Sequence, residues 1–161
     1  RAGLAQGTFY LYFESRQDLF DQLLPTVGEE MLAFITDSVH GSTDIFEVEE
    51  RGIRAFFRYL VDHPGFFRVL NEADVAAPKA FERHFMILGK RYMSAMERAV
   101  ERGQIKNYTV PELEVIIYLL MAARDYIYVK FMRGRSRPKP LPDWVVDSYM
   151  RFIRYGLQGK R

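Results

Sequence analysis

Apolar side chains recur every three or four positions along almost the whole chain and strand-like alternation is nearly absent, which predicts an all-α fold, a helical bundle. Leu19, Leu23, Val27, Met31 and Ile35 mark one face of a long helix over residues 16–38, with Ser15 as its N-cap and Asp18 at the third helical position. Pro25 falls inside that helix on the polar side, with Gln22 and Glu29, so it removes one backbone hydrogen bond and bends the helix. Beyond the break at Gly41, Ser42 and Thr43, a second helix carries Phe46, Ile53, Phe57, Leu60 and Val61. It stops at His63-Pro64, because proline pushes the residue before it out of helical geometry. A short helix over residues 65–73 follows.

Pro78 suits the first turn of another long helix, whose apolar face is Phe81, Phe85, Leu88, Tyr92, Met96 and Ala99 and whose end is Gly103. Thr109-Val110-Pro111-Glu112 fits a capping box opening a helix that runs to about Arg133. Ile116, Ile117, Leu119, Leu120 and Met121 cover nearly the whole circumference of this helix, so it must be buried on more than one side. A last helix, from Asp143 to about Leu157, presents Val145, Tyr149, Phe152, Ile153 and Gly156. One protomer is too small to cover every apolar face of the penultimate helix.

Composition narrows the class. At 161 residues, with 48% hydrophobic and 27% charged side chains, the chain has the balance of one folded domain. A net charge of +2 argues neither for a strongly basic nucleic-acid binder nor for an acidic tail, so any DNA reading must rest on local residues. Cysteine is absent from the sequence, which removes disulfides, thiolate catalysis and zinc-thiolate sites and fits a cytoplasmic protein. The longest apolar run, Val115 to Ala123, is too short for a bilayer and is followed by Arg124 and Asp125, so no membrane association is expected. Aromatic content is high at 15%, more than a small helical core needs, which suggests that part of it lines a cavity.

The opening string, from Arg1-Ala2-Gly3-Leu4-Ala5-Gln6-Gly7-Thr8-Phe9 through Tyr10-Leu11-Tyr12-Phe13-Glu14-Ser15 to Arg16-Gln17-Asp18-Leu19-Phe20, reads as a tight turn at Gly3 and a short helix. Leu4 and Phe9 point inward on that helix, while Gln6, Thr8, Tyr10 and Tyr12 present amide and hydroxyl groups suited to phosphates and base edges. The string resembles the helix-turn-helix signature of TetR-family transcriptional regulators, in which it forms the turn, the recognition helix and the start of the linking helix. That resemblance implies DNA contacts at Gln6, Gly7, Thr8, Tyr10, Leu11, Tyr12 and Arg16. The family more often has a basic residue where Gln6 stands and His or Trp where Leu11 stands, a departure that bears on base preference and not on docking.

It further implies residues 1–15 as the remnant of a DNA-binding domain, beginning at the turn before the recognition helix, and 16–161 as a ligand-binding and dimerisation domain. Without the earlier helices, this chain alone is expected to bind operator DNA only weakly and without specificity. The last two helices would pair with their two-fold copies in a four-helix bundle. Ile116, Leu120, Ala123 and Ile127 would meet the partner from one helix, and Val145, Tyr149, Phe152, Ile153 and Gly156 from the other. The function implied is a repressor released from a double-stranded operator by a small, largely apolar or aromatic effector. The alternatives are a helical enzyme or hydrophobic-ligand carrier sharing the fold shape, and a plain dimerisation module.

Candidates to line an effector pocket are Phe56, Phe66, Phe81 and Phe85, joined by Tyr92, Tyr118, Met121 and Tyr128, although an aromatic stripe at helical spacing also describes an ordinary core. Arg124 and Asp125 interrupt an apolar helix, and burying either without a partner costs several kcal/mol. Three placements meet that requirement: ion pairs at a dimer seam, contact with water, or polar anchors in the ligand cavity. His40, His63 and His84 lack metal-ligand spacing, and His84 reads as a surface or pocket residue; no metal and no cofactor are expected. Lys130, Arg133, Arg135, Arg137 and Lys139 read as a solvated loop, and Glu47, Glu49 and Glu50 as a charged helix face without a catalytic partner.

Overall fold

In the computed structural model, which describes residues 10–157, the chain forms six helices. They are α1 (Arg16–Val39), α2 (Ile45–Asp62), α3 (Phe66–Ala76), α4 (Pro78–Glu101), α5 (Val110–Phe131) and α6 (Asp143–Leu157). Among the described residues there is no strand, and no helix is long and apolar enough to cross a membrane.

The helix boundaries follow from local chemistry. Ser15 is extended and its Oγ accepts from the Asp18 N–H at 3.0 Å, while Asp18 Oδ2 accepts from the Glu14 N–H at 3.0 Å, so two orphan donors at the start of α1 are satisfied. Asp44 caps α2, its Oδ1 accepting from the N–H groups of Phe46 (2.7 Å) and Glu47 (3.2 Å). At α5, Glu112 Oε2 accepts from both the N–H (2.7 Å) and the hydroxyl (2.6 Å) of Thr109, which holds the Glu112 carboxyl below its usual pKa. Gly103, at φ +68°, takes the left-handed turn that releases the chain from α4. α3 continues three residues past the expected end, to Ala76, and α4 begins at Pro78.

The core centres on α2. Phe46, Ile53, Phe57 and Leu60 are buried along one line of the helix, with Glu49, Phe56 and Gly52 buried beside them. α1 meets α2, α3 and α4, and this triple packing moves its buried face one position along from the expected stripe. Phe20, Leu24, Gly28, Met31 and Leu32 are buried, whereas Leu19, Leu23, Val27 and Ile35 are only half-buried.

α6 lies on α2, where Val145, Val146, Tyr149 and Ile153 are buried. Leu120 of α5 is likewise buried within the protomer. Leu120, Val145, Tyr149 and Ile153, expected at a subunit interface, are thus buried within the protomer. What α5 leaves uncovered is a different stripe, Val115, Leu119, Ala122, Tyr126 and Val129, all exposed and spaced 4-3-4-3 along one helix face. Trp144, Phe152 and Tyr155 of α6 are also exposed, as is Gly156, while Ile116, Ala123 and Ile127 are half-buried.

Candidate functional site

Two cavities open between the helices. The first, of about 650 Å³, lies among the C-terminal half of α1, the start of α2 and the middle of α4. Leu32, Ile35 and Val39 supply one wall, Ile45 and Val48 the second, and Leu88, Ala95 and Ala99 the third, so the walls are mainly aliphatic, with Thr36, Ser42 and Ser94 among them.

The floor is polar. Glu49 of α2 is 4% exposed and Arg124 of α5 is 7% exposed, and Arg124 Nη2 donates to Glu49 Oε1 at 2.7 Å. Tyr149 of α6 donates its hydroxyl to the same Glu49 oxygen at 2.6 Å, and Tyr92 of α4 donates to Glu49 Oε2 at 3.0 Å. One carboxylate thus ties together four helices. Burial works against the Arg124 charge, yet Glu49, Tyr92 and Tyr149 around it hold its pKa above the ordinary value; burial, reinforced by Glu49, pushes both tyrosine hydroxyls up. The guanidinium also lies over the rings of Tyr92 (5.3 Å) and Phe56 (5.8 Å). Its Nε–H is buried and has no acceptor among the described residues.

The rim is basic. Arg91 and Arg98 of α4 and Arg102, its C-cap, fall at i, i+7 and i+11, which is one face of a helix. Arg91 Nη1 reaches Thr36 Oγ1 at 3.5 Å and Arg102 Nη1 donates to the Thr43 carbonyl at 3.0 Å. Among the described residues lining this cavity, Glu49 is the only acidic one.

The second cavity, of about 770 Å³, lies between α4 and α5 and has an aromatic and thioether lining that includes Phe81, Phe85, Tyr118 and Met121. Asp125 opens onto it, with its pKa raised by burial.

The expected pocket residues therefore divide. Tyr92 and Arg124 line the first cavity, and Phe81, Phe85, Tyr118, Met121 and Asp125 the second. Phe56, Phe66 and Tyr128 line neither of these two cavities. Phe56 packs edge-on to Phe57 and Phe67, Phe66 packs edge-on to Tyr59, and Tyr128 stacks on Phe67 with ring centroids 3.8 Å apart. Arg124 is neither at a dimer seam nor in water; its ion pair is internal. Glu49 belongs to the core and not to a solvated face, and it was legible in part: Phe46, Ile53 and Phe56, at −3, +4 and +7 from it, place it on the apolar side of α2. His84 is buried at 6% exposure between Phe66 and Phe85, not at the surface or in a pocket. Among the described residues no three His, Cys, Asp or Glu side chains group as metal ligands. Arg133, Arg135, Arg137 and Lys139 are exposed in the loop before α6, and Lys130 is exposed in the last turn of α5.

Of the expected DNA contacts, Gln6, Gly7 and Thr8 lie outside the described residues. Tyr10, Leu11 and Tyr12 are exposed at 60%, 80% and 73%. Arg16, at the first turn of α1, pairs with Glu72 of α3 at 2.7 Å while two-thirds of its side chain stays in solvent.

No family model matches the chain. The uncharacterized HTH-type transcriptional regulator YvdT of Bacillus subtilis is 29% identical over 147 residues, spanning 84% of this chain and 72% of that protein. The crystal structure of the TetR family transcriptional regulator PfmR from Thermus thermophilus superposes with a TM-score of 0.71 at 16% identity, covering 99% of this chain and 84% of that one. A regulatory protein in the TetR family from Rhodococcus superposes at 0.72 with 13% identity, covering 98% and 82%. The chain thus has the fold of these TetR-family regulators and is similar in sequence to an HTH-type transcriptional regulator.

Proposed function

We propose that the chain is the ligand-sensing and dimerising part of a cytoplasmic repressor, not an enzyme, that binds a double-stranded operator as a two-fold dimer and leaves it when a small molecule occupies the helical core. The observation that carries this reading is the continuity of α1. Its first residue, Arg16, lies four positions beyond Tyr12 of the exposed Tyr10-Leu11-Tyr12 segment, and its last turns, through Leu32, Ile35 and Val39, form a wall of the first cavity. On this reading a change in the cavity wall is passed along α1 to Arg16 and the segment before it. Tyr10, Tyr12 and Arg16, with Gln6 and Thr8, are the residues we assign to DNA.

The dimer is built on the exposed 4-3-4-3 stripe of α5 and on Phe152 and Tyr155 of α6. Phe152 is 79% exposed and Leu119 62%, an arrangement that a partner helix pair covers. Dimers of this kind bury roughly 2,000 Å² or more.

Selection from a random pool of double-stranded DNA with the full-length protein tests the reading. It is expected to enrich a palindrome whose half-sites are spaced by whole helical turns. Phe152→Glu and Leu119→Glu should shift the protein toward monomer in sedimentation and weaken operator binding in parallel. A failure to enrich any sequence, or a stable wild-type monomer at micromolar concentration, counts against it.

A further inference from the structure

From the first cavity we infer that its ligand is an aliphatic organic anion, with the anionic group held at the Arg91–Arg98–Arg102 rim and a neutral hydrogen-bond acceptor directed at the floor. This assigns a ligand class and a site; only the further step, that such a ligand is the effector, rests on the regulator reading above.

Three observations converge. The walls are mainly aliphatic, in contrast to the aromatic second cavity, so they suit a chain or saturated ring more than a flat aromatic body. The rim carries Arg91 and Arg98 on one face of α4 and Arg102 at its C-cap; Arg91 bonds Thr36 Oγ1 and Arg102 the Thr43 carbonyl, and among the described residues no carboxylate pairs with any of the three. Guanidinium groups in that state are matched by a carboxylate, sulfate or phosphate group. The floor holds a donor, Arg124 Nε–H, that is closed off from solvent and has no acceptor among the described residues, so a ligand oxygen meets it once the floor side chains give way. Leaving such a donor unpaired is costly, and a ligand oxygen reaching it removes the cost.

Electrostatics fixes the orientation. At the floor, Glu49 already neutralises Arg124 at 2.7 Å, so a second anion placed there meets the Glu49 carboxylate with no spare positive charge. At the rim the positive charge is unspent. The polar head therefore points outward, and the deep end of the ligand carries at most a carbonyl, ether or hydroxyl oxygen.

The test uses the chain itself and straight-chain probes: decanoate, its 10-hydroxy derivative, and decanol, each titrated by calorimetry at low ionic strength. Decanoate is expected to bind saturably, one per chain, and about tenfold or more tighter than decanol, since a charge-assisted contact supplies at least that factor. The 10-hydroxy derivative should bind more tightly still, by using the Nε–H. Arg98→Gln should remove most of the preference for decanoate over decanol and leave decanol binding as it was. Because Arg98 is an exposed side chain, this variant should fold normally. The site is overturned if decanoate and decanol bind equally, if binding never saturates, or if Phe85→Ala in the second cavity abolishes decanoate binding while Arg98→Gln does not. A negative result in any of these leaves operator selection untouched, so failure of the ligand assignment and failure of the regulator reading are told apart.

Discussion

Gly28 in the middle of α1 faces the ring of His84 on α4 so closely that a Cβ built on it would lie 2.5 Å from His84 Nδ1 and 2.8 Å from Cε1. The ring cannot swing away freely, because Phe66 and Phe85 flank it edge-on. Gly28→Ala should therefore destabilise the fold by about 1–3 kcal/mol through overpacking, in spite of a helix propensity favouring alanine by about 1 kcal/mol. The same substitution in a His84→Ala background should be neutral or stabilising. Thermal unfolding of the four proteins decides it, and additive effects would mean that the two residues do not share that space.

Burial lowers the pKa of His84, which sets a direction for stability against pH. A native state that holds the imidazole neutral binds fewer protons than the unfolded chain, so protonation favours unfolding. The contribution is complete above the unfolded value of about 6.5 and declines as pH falls from there toward the depressed native value. Melting temperatures from pH 7.5 to 5 should fall for the parent, and less steeply for His84→Asn. Parallel curves for the two would show that other groups set the acid limb.

Glu49 and Arg124 are 75 positions apart, and neither is tolerable alone. Glu49→Leu leaves a buried guanidinium and two tyrosine hydroxyls without their acceptor, and is expected to cost about 3–5 kcal/mol. Arg124→Met should cost less, since Tyr92 and Tyr149 still donate to the carboxylate. The double variant should recover part of the loss of Glu49→Leu, because apolar groups of similar size replace a buried pair with little penalty. Denaturant midpoints at constant slope measure all three, and a Glu49→Leu cost below about 1 kcal/mol would show that water reaches the pair.

Helix ends were written locally and could be read. Ser15 with Asp18, Thr109 with Glu112, and His63 before Pro64 each act within one turn, so residue type and spacing determine them without knowledge of neighbours. Which helix covers which face was not legible. The period of 3.6 residues made Leu120, Tyr149 and Ile153 apolar-facing, but not whether their cover is α2 of the same chain or a second subunit. The same limit applied at Phe56 and Phe66, whose aromatic rings serve equally as core or lining until their neighbours are known. The arginine rim was missed because Arg91, Arg98 and Arg102 look like a solvated face; only the fold brings α1 and α2 up beside them to close a cavity.

Pro25 sits within α1, between the Arg16 end and the cavity wall that begins at Leu32. Lacking an N–H, it leaves the Asp21 carbonyl without its helical donor, and its ring crowds that same carbonyl. Thr26 adds to the local perturbation, since its Oγ1 donates to the Gln22 carbonyl at 3.0 Å and so competes for the adjacent backbone acceptor. α1 nevertheless remains helical from Arg16 to Val39, held by Phe20 and Leu24 on one side of the proline and Met31 and Leu32 on the other. On the function proposed above, motion of the cavity wall would pass through this weak point to reach the Arg16 end. Pro25→Ala restores the missing bond and stiffens that passage. Alanine in place of an interior proline should raise the melting temperature, because the intrinsic difference is about 3 kcal/mol, part of it already absorbed by packing. In the full-length regulator, operator affinity without effector should change little, while the effector concentration for half release should shift several-fold. Induction curves for Pro25→Ala and parent, read beside their melting temperatures, separate the two effects. Superimposable curves with a raised melting temperature would make Pro25 a local defect with no part in transmission.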